Sequence, residues 1–221
     1  MRPLLACSAL LVLATSYGCR GTRDKSIGAG TMLTVHDEEG GVHSLRIDRI
    51  DKDPGDPDGE IFLYDTSFQD ANDGTWKPFC LPDRDGRTTA IPIQGSWDGA
   101  RNYVPSDRIT FACTNGALAK CVRFGYKPWK SVGGVSLLEY HRACVHLVPA
   151  DYCGDGRAHT RNGTGIDLFD RLHIQKREAR AGLLFEAAWS PTGAVGFTIT
   201  TGNPPAANSS ATCSARNFER L

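Results

Sequence analysis

The run Ala150-Asp151-Tyr152-Cys153-Gly154-Asp155-Gly156-Arg157-Ala158-His159-Thr160, extended to Asp167, gathers chemistry densely. It holds a cysteine, the carboxylates of Asp151, Asp155 and Asp167, the imidazole of His159, and Gly154, Gly156, Gly163 and Gly165. Glycine weakens helix and strand interiors alike, so the run reads as a shaped loop. His159, Asp155, Asp167 and Thr160 are the candidates for catalysis, with His159 as general base or metal ligand among the carboxylates. Asp151, Asp155, His159 and Asp170 are candidates for binding. The competing reading is structural: aspartate side chains bond nearby backbone N–H groups, so Asp and Gly together build turns. Cys153 beside His159 has the parts of a nucleophile and its base. In a chain with several other cysteines a disulfide is the default.

Two other segments invite a ligand. From Asp51 to Ile61 the chain resembles part of a calcium loop. Asp56, Asp58, Gly59, Ile61 and Asp65 fall at the third, fifth, sixth, eighth and twelfth positions, but Pro54 stands at the first, where a carboxylate is required. A solvated turn is the reading preferred there. In Gly125-Tyr126-Lys127-Pro128-Trp129-Lys130, Tyr126 and Trp129 beside lysines suit stacking on a sugar or nucleotide, or else anchor a turn in the core. No GxSxG, P-loop, dinucleotide, HExxH or CxxC pattern occurs. The expectation is therefore no cofactor, with a divalent metal or calcium as the weak alternative, and a protein closer to a binding or structural module than to an enzyme.

The 221 residues carry 25 basic and 25 acidic side chains. Such balance gives no global reason to seek nucleic acid. Charge is uneven locally: Asp51 to Glu60 is acidic and Arg171 to Arg180 mainly basic, both read as solvated faces. Arg2 followed by the apolar run Leu4 to Thr15, too short to span a bilayer, reads as an export signal over residues 1–18. Gly18-Cys19 after that run resembles the lipobox of bacterial lipoproteins, in which the cysteine takes a lipid. Ser16 departs from the bulky aliphatic residue usual there, and Ser16-x-Gly18 also fits an ordinary signal-peptidase site, which would give a secreted protein. Parity favours lipidation. Of eight cysteines, Cys7 leaves with the leader and an acylated Cys19 leaves Cys80, Cys113, Cys121, Cys144, Cys153 and Cys213 to pair completely. Arg20 after Cys19 favours, by the same resemblance, the outer membrane over the inner one. The membrane is then a partner through the lipid.

The elements that must hold these residues follow from periodicity. Residues 19–30 form a polar tether and 31–221 one domain. Thr31 to Asp51 alternates as a hairpin, and Glu60 to Tyr64 is a strand. Ala90 to Ile93 is a short strand whose Pro92 suggests a sheet edge. Residues 108–113 and 120–124 flank either a hairpin turn or a turn into a short helix. Ser136 to Val148 is the one central helix, stopped by Pro149. Ile166 to Asp170 and Val195 to Thr200 read as strands, and Gly182 to Trp189 is ambiguous. The sum is a single α+β, strand-rich, disulfide-stapled domain. Its fifteen possible connectivities stay open, with Cys144–Cys153, Cys113–Cys121 and Cys80–Cys213 the pairing that sequence proximity suggests.

Several of these blocks occur together elsewhere. Ala150-Asp151-Tyr152-Cys153 with Gly154-Asp155-Gly156, His159-Thr160 and Gly163 resembles the signature of the bacterial ADYC-domain family. Phe111 to Gly116, Ala119-Lys120-Cys121, Gly125 to Trp129 and His141 to Cys144 are similar to its other blocks. The resemblance spans about Ile47 to Asp170. It implies an exported protein, often a lipoprotein, of unknown molecular activity, and supplies no catalytic residues. The resulting expectation is a lipid-anchored cell-envelope module. The alternative is an extracytoplasmic hydrolase or metal-binding enzyme using the Asp151–Asp170 region.

Overall fold

A computed structural model describes residues 27–36, 41–161, 163–178 and 185–197. The leader, Cys7, Cys19, most of the tether and Cys213 lie outside those residues. The strands are β1 (Met32–His36), β2 (Val42–Lys52), β3 (Phe62–Gln69), β4 (Trp76–Pro78), β5 (Thr89–Trp97), β6 (Tyr103–Cys113), β7 (Ser131–Val132), β8 (Val135–Ser136), β9 (Ala187–Ser190) and β10 (Gly193–Phe197). The helices are α1 (Ala117–Arg123) and α2 (Leu137–Leu147).

The main sheet is antiparallel, ordered β1-β2-β3-β5-β6, with β4 pairing the far end of β3. The β1–β2 hairpin forms where alternation places it, with Leu33 opposite Leu45. Ile91 and Ile93 of β5, Leu63 of β3, Ala112 of β6 and Ile61 bury one sheet face under Ala119 and Val122 of α1. Cys121 lies on α1 beside these residues and joins Tyr126, Cys144 and Val145 in a second apolar cluster under α2. The order of layers is thus sheet, α1, α2. Ser136 caps α2 by accepting from the Leu138 N–H, which satisfies one of the donors a helix start leaves orphaned.

Several expectations change. There are two described helices, because the ambiguous turn after Cys113 leads into α1 and not into a hairpin. Pro92 sits in β5, an interior strand by order. Its ladder with β3 covers only Tyr64↔Ala90 and Asp65↔Thr89, so the missing N–H faces no β3 partner. Residues 166–170 are not a strand: Leu168 packs into the second cluster, and Asp170 folds the chain back on itself. Of the ambiguous stretch, β9 forms at Ala187–Ser190; 181–184 lie outside the described residues, as do 198–200 after β10.

The disulfides also differ from sequence proximity. Cys80 pairs with Cys113 and Cys121 with Cys144. Cys121 and Cys144 are buried on facing sides of α1 and α2, so packing brings them together across 23 residues. A cross-link closing a loop of that length adds about 3 kcal/mol. Cys153 is disulfide-bonded too, and not to Cys144.

Candidate functional site

The loop after α2 begins with a reversal. Val148 is still helical, Pro149 follows, and Ala150 takes φ 52, the left-handed region that ends helices. This drops Asp151 into the interior, fully buried. An isolated carboxylate there would be costly, and the local chain supplies its partners. Oδ1 accepts from the Asp155 N–H at 3.1 Å and Oδ2 from the Gly156 N–H at 3.0 Å. His146 Nδ1 donates to Oδ2 at 2.9 Å, and Arg101 Nη2 lies 3.4 Å away. The same Arg101 nitrogen donates to the Gly156 carbonyl at 2.6 Å. Asp151 therefore ties α2, its own loop and the β5–β6 turn into one unit.

The glycines explain how closely that unit packs. A Cβ on Gly156 would stand 2.8 Å from Ala100 Cα, and one on Gly154 2.3 Å from the Thr192 carbonyl oxygen. Both also adopt positive φ. Across the second contact the Ala194 N–H donates to the Tyr152 carbonyl, fixing the β9–β10 turn to the loop. Tyr152 stacks on Trp189 at 5.4 Å between ring centres, lies 5.3 Å from the His159 ring, and donates its hydroxyl to Glu186. Burial and that carboxylate push the Tyr152 hydroxyl well above the ordinary tyrosine pKa.

The nominated side chains point to different jobs. Asp155 is exposed and accepts from the Arg157 N–H; Asp167 accepts from the Glu178 N–H. Thr160 donates to the Val148 carbonyl, and His159 Nδ1 donates to the Ala150 carbonyl at 2.8 Å, which keeps Nε2 as the proton-accepting nitrogen. Asp170 accepts from three backbone N–H groups and from the Tyr126 hydroxyl at 2.9 Å. Tyr126 is buried, so desolvation and then Asp170 raise its pKa strongly; Trp129 is half exposed. Among the described residues no group of three or more His, Cys, Asp or Glu is arranged to hold a metal ion. Arg101 and His146, which complete the Asp151 cluster, lie 50 and 5 residues away in sequence. Neither was marked by a local signal in the sequence: Arg101 reaches the loop from the β5–β6 turn, and His146 is buried only once α2 packs.

The acidic loop is closed from outside. Lys127, 3% exposed, sends its ammonium into the loop, 2.7 Å from Asp56, 2.9 Å from Asp58 and 3.3 Å from Glu60. Lys130 bridges Asp58 and Glu60 from the rim at 2.8 and 2.9 Å. The carboxylates that suggested calcium surround a lysine, and Asp65, at the twelfth position, pairs with Arg49. Burial opposes the Lys127 charge, but the bonds to Asp56, Asp58 and Glu60 outweigh it and raise the pKa. The hydrogen bonds from Lys127 and Lys130 hold Asp58 down at about 2. Beside them Asp53, also buried, receives Arg123 Nε at 2.7 Å. An open groove of about 360 Å³ near this loop is lined by Arg49, Lys52, Asp65, Arg87 and Thr89, away from every residue of the Asp151 cluster.

The family model described as the ADYC domain matches residues 28–202, and the chain belongs to that family. No curated protein and no solved structure matches the chain.

Proposed function

We propose that this ADYC-domain protein is exported, is held at the cell envelope by a lipid on Cys19, and acts there as a stapled binding or structural module. The observation that carries this reading is the disulfide set. Cys80–Cys113 locks the segment after β4 onto the end of β6, and Cys121–Cys144 locks α1 onto α2. Such bridges form and persist in oxidising compartments and are rare in the cytosol. The family match accompanies it. The module reading also draws on the bonding pattern of the Asp151 loop, whose Asp151 carboxylate joins α2 and the β5–β6 turn and whose Tyr152 carbonyl joins the β9–β10 hairpin. The hydrolase alternative gains no comparable support, because Asp155, Asp167 and Asp170 each accept backbone N–H groups.

The test is processing. Blocking the lipoprotein signal peptidase with globomycin should accumulate the precursor, and labelled palmitate should mark the wild-type chain but not Cys19→Ala. A Cys19→Ala chain processed and localised like wild type would reject anchoring. Recovery of the described cysteines as free thiols from intact cells would reject export.

A further inference from the structure

Residues 167–177 form a turn whose charges are sorted by direction. Its two carboxylates are taken up by backbone N–H groups. Asp167 accepts from the Glu178 N–H. Asp170 accepts from the N–H groups of Leu172, Ile174 and Gln175 and from the Tyr126 hydroxyl. His173 takes φ 56 to close the loop, and Gln175 donates to the Phe124 carbonyl to fasten it to the end of α1. Leu168 and Ile174, partly buried, pack against the second apolar cluster beneath it. The shape is therefore set before any partner arrives. Every cation of the turn is left outside: Arg171, Lys176 and Arg177 are exposed, and none makes an ion pair with a described residue. Phe169 is 44% exposed on the same turn, with the Arg177 guanidinium 5.7 Å above its ring.

The arrangement is unlike the acidic loop, where Lys127 and Lys130 are each matched by two or more carboxylates. A preformed loop showing three cations without an ion pair among the described residues, one of them over an exposed aromatic ring, suits an interface that is anionic at the top and apolar below. We propose that the turn 167–177 docks on the phosphate headgroups of an anionic lipid bilayer, with Phe169 reaching the acyl boundary. Charge complementarity chooses the occupant: a headgroup layer offers many phosphates to spaced cations, and hydrocarbon to the ring. The contact needs no acyl chain of its own and stands whether or not Cys19 carries one.

The experiment uses the mature chain with Cys19→Ala, so that no lipid contributes, sedimented with vesicles. Phosphatidylglycerol mixed with phosphatidylcholine should bind it and pure phosphatidylcholine should not, and binding should weaken as salt rises. The variant Arg171→Gln, Lys176→Gln, Arg177→Gln should bind on the order of 100-fold more weakly, about fivefold for each lost charge. Phe169→Ala should weaken binding severalfold while leaving its salt dependence unchanged. The three glutamines sit on exposed sites, and an unchanged melting temperature establishes that the fold persists. If they disturb it, Phe169→Ala and the two vesicle compositions still decide the matter. Equal binding to both vesicle types, or undiminished binding by the triple variant, overturns the proposal. So does release by millimolar inorganic phosphate, which would mean a discrete phosphate site, or a preference for a soluble polyanion over vesicles. None of these outcomes bears on processing at Cys19.

Discussion

The acidic loop at 51–60 and the loop at 150–160 are built from the same residues, aspartate and glycine, yet they close in opposite ways. In the first, Asp56, Asp58 and Glu60 converge on the ammonium of Lys127, a residue from a different part of the chain. In the second, Asp151 is satisfied chiefly by its own loop, through the Asp155 and Gly156 N–H groups, and by His146 one helical turn back. One loop is a cation site with the cation built in; the other is an anion site lined by amides. Carboxylate-rich composition therefore says little about metals until the donors facing it are known. A lysine at hydrogen-bond distance from three carboxylates leaves no place for calcium, and a carboxylate accepting from two amides has little affinity left for one.

Removing the central charge from each loop tests this directly. The largest effect belongs to Asp151→Ala, which strands buried His146 and takes the carboxylate from Arg101 and from two part-buried N–H groups. Chemical denaturation should show a loss of about 5 kcal/mol, the upper end for breaking a buried charge pair. A loss below about 1 kcal/mol would mean that the loop is held by its glycine contacts and not by the carboxylate. Lys127→Met should cost about 3 kcal/mol, because two of its three partners keep access to water. In that variant calcium should raise the melting temperature, while wild type should be indifferent to it. Indifference of both proteins would show that the loop loses its shape when the lysine goes.

How much of this was readable beforehand depends on sequence separation. The helix from Ser136 to Val148 was legible because its cap, its apolar face and Pro149 are local signals. So was the β1–β2 hairpin, from alternation. The Lys127 clamp was not, since it spans 67 to 71 residues and lysine at 127 looks like any surface lysine. Residues 166–170 looked like a strand because Ile166, Leu168 and Asp167 alternate, but the Asp170 turn and the burial of Leu168 and Ile174 override that pattern. The disulfide pairing stayed open in the sequence for the same reason: Cys121–Cys144 follows the facing sides of α1 and α2, which exist only after packing. Cys80, Cys113, Cys121 and Cys144 pair with each other, so loss of Cys7 with the leader and lipidation of Cys19, as proposed, would leave Cys213 for Cys153. Non-reducing peptide mapping should recover a Cys153–Cys213 peptide.

Acid should separate the two loops in order. His141, on α2 just before the Asp151 loop, is fully buried against Trp97 and donates Nε2–H to the Leu118 carbonyl. Burial pushes its pKa down to about 4, the carbonyl opposing only in part. Its folded pKa lies below the unfolded value near 6.5, so the unfolded state binds the extra proton first. Stability from the neutral ring is present above pH 6.5 and is lost as pH falls from 6.5 towards 4, by about 3 kcal/mol. His141→Gln should flatten that part of the stability–pH curve. Asp58 behaves as a depressed carboxylate: its contribution is intact above about pH 4 and disappears only as pH falls towards 2. The α2 side should weaken first, and a curve with no slope between pH 6.5 and 4 would contradict the buried neutral histidine.

The smallest expected effect is the sharpest test of why the acidic loop closes. Lys130 bonds Asp58 and Glu60 at distances as short as those of Lys127, but from a position open to water. If contact distance decided the stabilisation, Lys130→Ala and Lys127→Met would weaken the protein alike. If burial decides it, solvent screening leaves the Lys130 pairs nearly worthless while the Lys127 ammonium keeps its hold. Lys130→Ala should therefore shift the denaturation midpoint by only a small fraction of the Lys127→Met shift, and the difference from wild type should vanish in molar salt. Comparable midpoints for the two variants would show that the loop is held by a shared charge network, with the buried lysine no more central than the exposed one.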